Sequence, residues 1–364
     1  MGHLILQRDN FMWPGFSLLG ESSLAITMDD TGVNFQRLDF MVLSGTTSVS
    51  IASTGTPGGV NILPQLAETT NNLTTVTLSG SEEFALGFTT HQSNSSDGVV
   101  TDIAAAAASP TTVHSSLKLI DASAATGNLN IVAGATNTSG EGHFQNGDGL
   151  NANVTITYTG LTIKGGSGHD FIENDAKNGI VTDGNFNFDT VTLGGASAKA
   201  TMGTGSGDFV NVGFSGLGTN ETAGSALGDS VTFGAAATAS LVVGTGAEAG
   251  PTASTTSIGL TKVHDAAGGM QIDFTTITTS HFIFDATNTA AVASATSLAA
   301  AENAAVNAFG SSGVVYFSFH GNEYFIATDN AEAAVSSSDA IVKLVGVTDI
   351  HHAGNNFGLV TLHV

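Results

Sequence analysis

The chain contains no cysteine. That excludes disulfide staples, thiolate zinc sites and cysteine nucleophiles, and leaves packing, the backbone ladder or bound ions to hold the fold. Basic residues are scarce: Lys and Arg total 8 against 31 Asp and Glu, a formal net charge of −23. Phosphate backbones are neutralised by clustered Lys and Arg, so nucleic acid is not an expected partner. No run approaches the roughly 18 apolar residues that span a bilayer, so no membrane span is expected. The N-terminal MGHLILQRDNFMWPGFSLLG lacks a basic region followed by an apolar core, so export would not use an ordinary cleaved signal. Enzyme signatures are missing as well. There is no His-Glu-x-x-His and no Gly-x-Ser-x-Gly, and the Gly-x-Gly runs at Gly203 and Gly244 lack the strand–turn–helix setting of a nucleotide loop. The eleven histidines are scattered, with His351-His352 the adjacent pair. No enzyme activity is expected.

Glycine is abundant at 46 and proline rare at 5, and hydrophobic residues make up 41%. Most of the apolar residues are small or β-branched, which suits many short strands joined by tight turns. The excess of acid is compatible with a solvated surface or with a supply of hard oxygen ligands for calcium. Internal repeats discriminate between these. A Leu-x-x-Φ-x-(Leu/Ala)-Ser pattern, Φ being apolar, starts at Leu38, Leu73 and Leu117, in steps of 35 and 44 residues. A second pattern, Asp-x-(Val/Ile)-x-Φ, starts at Asp170, Asp189, Asp208 and Asp229, in steps of 19, 19 and 21, the first copy lacking the apolar ending. Ala198 to Gly205 also matches Ala237 to Gly246. A repeat of about 20 residues with two short strands reads as one coil of a β-solenoid, which buries its apolar positions only by stacking on further coils.

Gly165-Gly166-Ser-Gly168-His-Asp170-Phe-Ile172-Glu fits Gly-Gly-x-Gly-x-Asp-x-Φ-x in full, a parallel β-helix repeat that binds calcium. Glycines permit the tight path that turns carbonyl oxygens inward, and the aspartate adds a charged oxygen. Calcium takes 6–8 oxygens, so two stacked turns are expected to complete one ion. Later copies decay. Gly184-Asn185-Phe-Asn187-Phe-Asp189 puts Asn in place of two glycines, Gly203-Thr-Gly205-Ser-Gly207-Asp208 shifts the glycines in register, and Gly228-Asp229 keeps little beyond the acid. The expected metal ligands are therefore Gly165, Gly166, Gly168, Asp170, Gly184, Asn185, Asn187, Asp189, Gly205, Gly207, Asp208 and Asp229, with Ca2+ as the ion. For the later acids a turn-capping role stands beside the metal role.

From about Gly259 the composition changes. Asn288 to Phe309 reads as an Ala-rich helix stopped by Gly310, Gly313 to Asp329 as a hairpin turning at Gly321-Asn322, and Asp339 to Ile350 as a strand. Thr101 to Thr112 reads as a short helical turn ended by Pro110, and Asn94 to Gly98 as a loop.

"LTIKGGSGHDFIE" resembles a calcium-binding β-roll of the RTX (repeats-in-toxin) proteins. "NLTTVTLSGSEEFAL", "SLKLIDASAATGNLNI" and the C-terminal "VVYFSFHGNEYFIATDNAEAAVSSSDAIVKLVGVTDI" resemble RTX-type surface-layer (S-layer) proteins of Gram-negative bacteria, and "GLTKVHDAAGGMQIDF" is similar to the segment that often follows RTX repeats. The fold class so expected is all-β: a right-handed parallel β-solenoid or RTX β-roll with a small C-terminal β-rich (α+β) cap. Its expected divisions are an N-terminal segment 1–33, coils without metal turns 34–160, calcium-binding coils 161–258, and a cap with a secretion-signal-like region 259–364. The resemblance implies type I secretion to the cell surface, folding triggered by calcium outside the cell, and a structural role as a self-assembling S-layer subunit. It implies copies of the chain itself as partners, with cell-surface polysaccharide as a further one. An RTX adhesin or glycan-binding module, or an extracellular filament subunit, is the alternative.

Overall fold

Alternation makes the strands of this chain. In Ser23–Asp29 the side chains of Leu24, Ile26 and Met28 are buried, and those between them are half-buried. Period two is what a pleated strand needs to put one face into a core. The computed structural model describes residues 2–7, 12–13, 16–32, 35–38, 41–63, 66–68, 70–86, 99–101, 111–133, 154–184, 189–195, 198–203, 208–212, 214–215, 222–223, 230–232, 239–243, 261–264, 271–274, 278, 282–331, 333–335, 339–347, 351–356 and 359–363. Strands dominate among them, with two helices, so the protein is all-β. It divides into two units, residues 1–184 with 216–221 and residues 185–215 with 222–364.

In the first unit, consecutive strands go to different sheets and each sheet is parallel. One sheet takes Gly2–Gln7, Ser23–Asp29, Ser48–Thr54, Thr75–Gly80, Leu119–Ala125, Thr162–Lys164 and Ile180–Thr182. A second takes Met12–Trp13, Phe35–Leu38, Val60–Leu63, Glu83–Leu86, Leu129–Ala133 and Asp170–Asn174. A third takes Phe16–Leu19, Met41–Ser44, Leu66–Glu68 and Val99–Thr101. Through Val99–Thr101 the strand order along the chain is first, second, third sheet, then first again; beyond it Thr111–His114 and Val154–Thr157 pair with each other in a separate parallel sheet. From Thr162 the return to the first sheet passes through Asp170–Asn174 alone.

The register lines up one inward position across the first sheet. Leu24, Val49, Val76, Ile120, Ile163 and Val181 pair in succession, and none is more than 3% exposed. Burying each such side chain contributes about 1.5–3 kcal/mol, so this row is a principal source of cohesion in the unit.

The second unit repeats the parallel scheme. Lys199–Thr201, Ser230–Thr232, Thr261–His264 and Ala340–Leu344 form one parallel run, and Thr190–Leu193, Asp208–Val212, Ala239–Val243 and Gln271–Asp273 another. Antiparallel strands then extend both. Asn322–Thr328 and Gly313–Phe319 follow Ala340–Leu344, while Leu359–His363 and His351–Asn356 follow Gln271–Asp273. The helix Leu298–Phe309 lays Ala301, Ala305 and Val306 on the hairpin residues Val315, Phe317, Tyr324 and Ile326.

Several expectations change. The strand beside Thr75–Gly80 is Ser48–Thr54, with Val76 opposite Val49, so the copy placed at Leu38 is out of register. Leu38 ends a strand of the second sheet, and Met41–Ser44 belongs to the third. The match of Ala198 with Ala237 likewise joins different sheets, since Lys199–Thr201 pairs with Ser230–Thr232 and Ala239–Val243 with Asp208–Val212. Apolar pairs followed by small polar residues occur at every corner of such a chain, so self-similarity alone does not fix register. The Ala-rich helix is two helices, Ala290–Ala293 and Leu298–Phe309, because Thr289 and Ser297 each cap a new N-terminus through the side-chain oxygen. Gly310 ends the second at φ 60°, as expected. The hairpin turns at His320-Gly321, one residue earlier than expected: Phe319 pairs with Asn322, and φ is 47° and 74° at the two turn residues. The last expected strand is Ala340–Leu344, which ends before Gly346 at φ 78°. The expected helical turn before Pro110 and the loop Asn94 to Gly98 lie outside the described residues.

Candidate metal centre

The glycine loop joins two strands of different sheets, Thr162–Lys164 and Asp170–Asn174. Pairing of Lys164 with Thr182 sets Gly165 beside Asp183, and the Gly165 N–H donates to the Thr182 carbonyl at 2.8 Å. Asp170 occupies an inward position: Phe84, Leu129 and Asp170 face one another in successive strands, so an apolar row ends in a carboxylate. That carboxylate is fully buried, and its Oδ2 accepts the Gly166 N–H at 2.6 Å.

Asp183 reaches the same place from the next turn. A Cβ at Gly165 would overlap Asp183 Oδ1 and lie 2.8 Å from Asp170 Oδ2. Asp183 Oδ1 also accepts the Gly184 N–H at 2.9 Å, and a Cβ at Gly184 would overlap the Gly166 carbonyl oxygen. Two carboxylates from stacked turns thus face one glycine, Asp170 fully buried and Asp183 8% exposed. Buried like charges need a counter-charge or a proton, and a hard cation with oxygen ligands supplies the first. The donor set fits calcium in kind: the carboxylates of Asp170 and Asp183, with carbonyl oxygens of a glycine turn packed too closely for side chains. Among the described residues no three His, Asp or Glu side chains cluster as a metal site, so an ion here would take its other oxygens from carbonyls.

Asp189 and Asp208 are each 1% exposed and stand side by side, since Thr190 pairs with Phe209. The Asp189 N–H donates to Asp208 Oδ1 at 3.3 Å, and the Phe209 N–H to the Asp189 carbonyl at 2.7 Å. Through the first of these bonds Asp208 reaches across to the neighbouring strand's entry rather than to its own backbone. Gly168 packs on the preceding turn, where a Cβ would meet the Gly127 carbonyl. Asn185, Asn187, Gly205, Gly207 and Asp229 lie outside the described residues.

Asp183 escaped the sequence reading because the Asp-x-(Val/Ile) pattern skips it. Laying Lys164-Gly165-Gly166 over Thr182-Asp183-Gly184, one coil on, finds it. The opposite turn was also missed. There Asn174 holds the chain by donating to the Leu161 carbonyl at 3.1 Å while its Oδ1 accepts the Ala176 N–H at 3.0 Å. A further buried acid, Asp30, sits in an earlier turn and accepts the Thr56 N–H at 2.7 Å. Burial raises its pKa, and the charges of Glu82 and Asp29 add to the rise.

No protein-family model and no curated protein matches the chain. Among the described residues no helix is long and apolar enough to cross a membrane.

Proposed function

We propose that the chain is a calcium-clamped parallel β-solenoid of the RTX type, secreted to the cell surface, where copies of it assemble into an S-layer. Calcium acts as a fold clamp with no catalytic part. The observation that carries this reading is the convergence of Asp170 and Asp183 on Gly165, one carboxylate from each of two stacked turns. Strands that alternate between parallel sheets support the solenoid. The net charge of −23 supports a chain that needs cations to compact, and the resemblance of the flanking coils supports the layer.

Electron microscopy of the purified chain, with calcium and with a chelator, tests the proposal. Ordered sheets with calcium and their loss on chelation are expected. A monomer under both conditions sinks the structural role. Asp170→Asn and Asp183→Asn should each abolish the calcium response, and identical assemblies from the variants and the parent sink the calcium clamp.

A further inference from the structure

The strand Asp170–Asn174 leaves the glycine loop and enters a second turn, where a different set of polar groups is taken out of water. Glu173 is fully buried, and its carboxyl hydrogen-bonds to that of Asp175. Tyr158 is 3% exposed, its hydroxyl has no hydrogen-bond partner, and the charge of Asp175 acts on it. The second carboxylate oxygen of Asp175, Oδ1, is buried without a partner as well.

The backbone fixes this arrangement from both neighbouring strands. The Asp175 N–H donates to the Ala133 carbonyl at 3.3 Å, and the Lys177 N–H to the Tyr158 carbonyl at 3.2 Å. Lys177, the basic residue of the turn, is itself exposed. Two carboxyls in direct contact hold either a shared proton or a cation, and a phenolic oxygen held beside them without a partner is an additional neutral donor. A shared proton leaves the Tyr158 hydroxyl and Asp175 Oδ1 unsatisfied, whereas a hard cation uses both oxygens.

We propose that Glu173, Asp175 and the Tyr158 hydroxyl form a second divalent-cation site, of calcium chemistry, built without the glycine-loop motif. It is independent of Asp170 and Asp183 and stands or falls separately from the site proposed above. It would clamp the turn after Asn174 to the turn before Leu161, as the glycine loop clamps Gly165 to Asp183.

Terbium is a luminescent stand-in for calcium, and a tyrosine at the ion sensitises it. Full-length protein titrated with terbium and excited in the tyrosine band should show emission that calcium displaces. Tyr158→Phe and Asp175→Asn should each bring that emission down to the level of free terbium, whereas Asp170→Asn should keep it. Calcium counted by equilibrium dialysis should fall by one ion per chain in the Glu173→Gln, Asp175→Asn double variant, with circular dichroism showing that the strands persist. Undiminished emission in Asp175→Asn, or an unchanged calcium count in the double variant, overturns the proposal. Loss of the ion at Asp170 alone leaves it standing, so its failure is distinct from that of the glycine-loop site.

Discussion

At Gly184 the preceding turn's backbone already occupies the place a methyl group would take, since a Cβ there would overlap the Gly166 carbonyl oxygen. Backbone cannot move aside as the end of a side chain can, so Gly184→Ala must push two stacked turns apart. Overpacking of this kind costs about 1–3 kcal/mol. The expected result is a fall of that size in the stability of the first unit, read from urea unfolding. Because the two turns carry Asp170 and Asp183, the same variant should also weaken calcium binding. Parent-like stability and affinity in Gly184→Ala would show that the turns do not stack as tightly as the register requires. Asp183 teaches the same lesson about reading acids. It lies outside the repeated Asp-x-(Val/Ile) pattern, and its place beside Gly165 follows from pairing across an 18-residue coil.

At the scale of elements, the helix Leu298–Phe309 buries an acid. Glu302 is 1% exposed within an apolar contact face, its Oε1 has no partner, and burial pushes its pKa up to about 7. In the unfolded chain the carboxyl titrates near 4.5. The folded state therefore holds the proton more tightly. Its contribution is fully present below pH 4.5 and is lost as the pH rises towards about 7, an effect on the order of 3 kcal/mol for a difference of this size. Urea unfolding at pH 5 and pH 8 should show the parent weakening at the higher pH, and Glu302→Gln should remove most of that difference. A slope unchanged in Glu302→Gln would place the effect elsewhere.

Element type was legible where burial imposed a period. Ile172, Val191, Val210 and Val231 are all fully buried in strands, but Val231 pairs with Ala200 while Val210 pairs with Leu241, so the copy at Asp229 belongs to the other run and is out of register with that at Asp208. Register was not legible, because every corner offers similar apolar and small polar residues. The three-sheet course of residues 2–101 was missed for a related reason. Strands as short as Leu66–Glu68 and Met12–Trp13 carry too few residues to show a period. The hairpin was displaced by one residue because Gly-Asn is read as a turn, whereas the backbone turns at His320-Gly321 and Asn322 begins the strand. There the side chain of Asn322 donates to the His320 carbonyl at 3.1 Å and accepts the Gly346 N–H at 3.1 Å.

For the molecule as a whole, the formal net charge of −23 and the proposed clamps make one argument. Excess carboxylate favours expansion, and two remedies act differently. Monovalent salt screens all exposed charges within a Debye length of about 8–10 Å, but it does not bridge two buried carboxylates. Calcium does both. Small-angle scattering of the full chain should therefore show expansion in chelator at low salt and partial recovery in concentrated sodium chloride. Full recovery should come only with millimolar calcium. Magnesium should restore less than calcium, because it demands a tight octahedron and gives up water reluctantly, which suits a carbonyl-lined turn poorly. If sodium chloride alone compacted the chain as completely as calcium does, general screening would account for the acidic composition, and the buried carboxylates at Asp170 and Asp183 would be explained by protonation. If calcium acts at low concentration where sodium does not, and Asp170→Asn with Asp183→Asn removes that response, the fold depends on ions bound at particular turns.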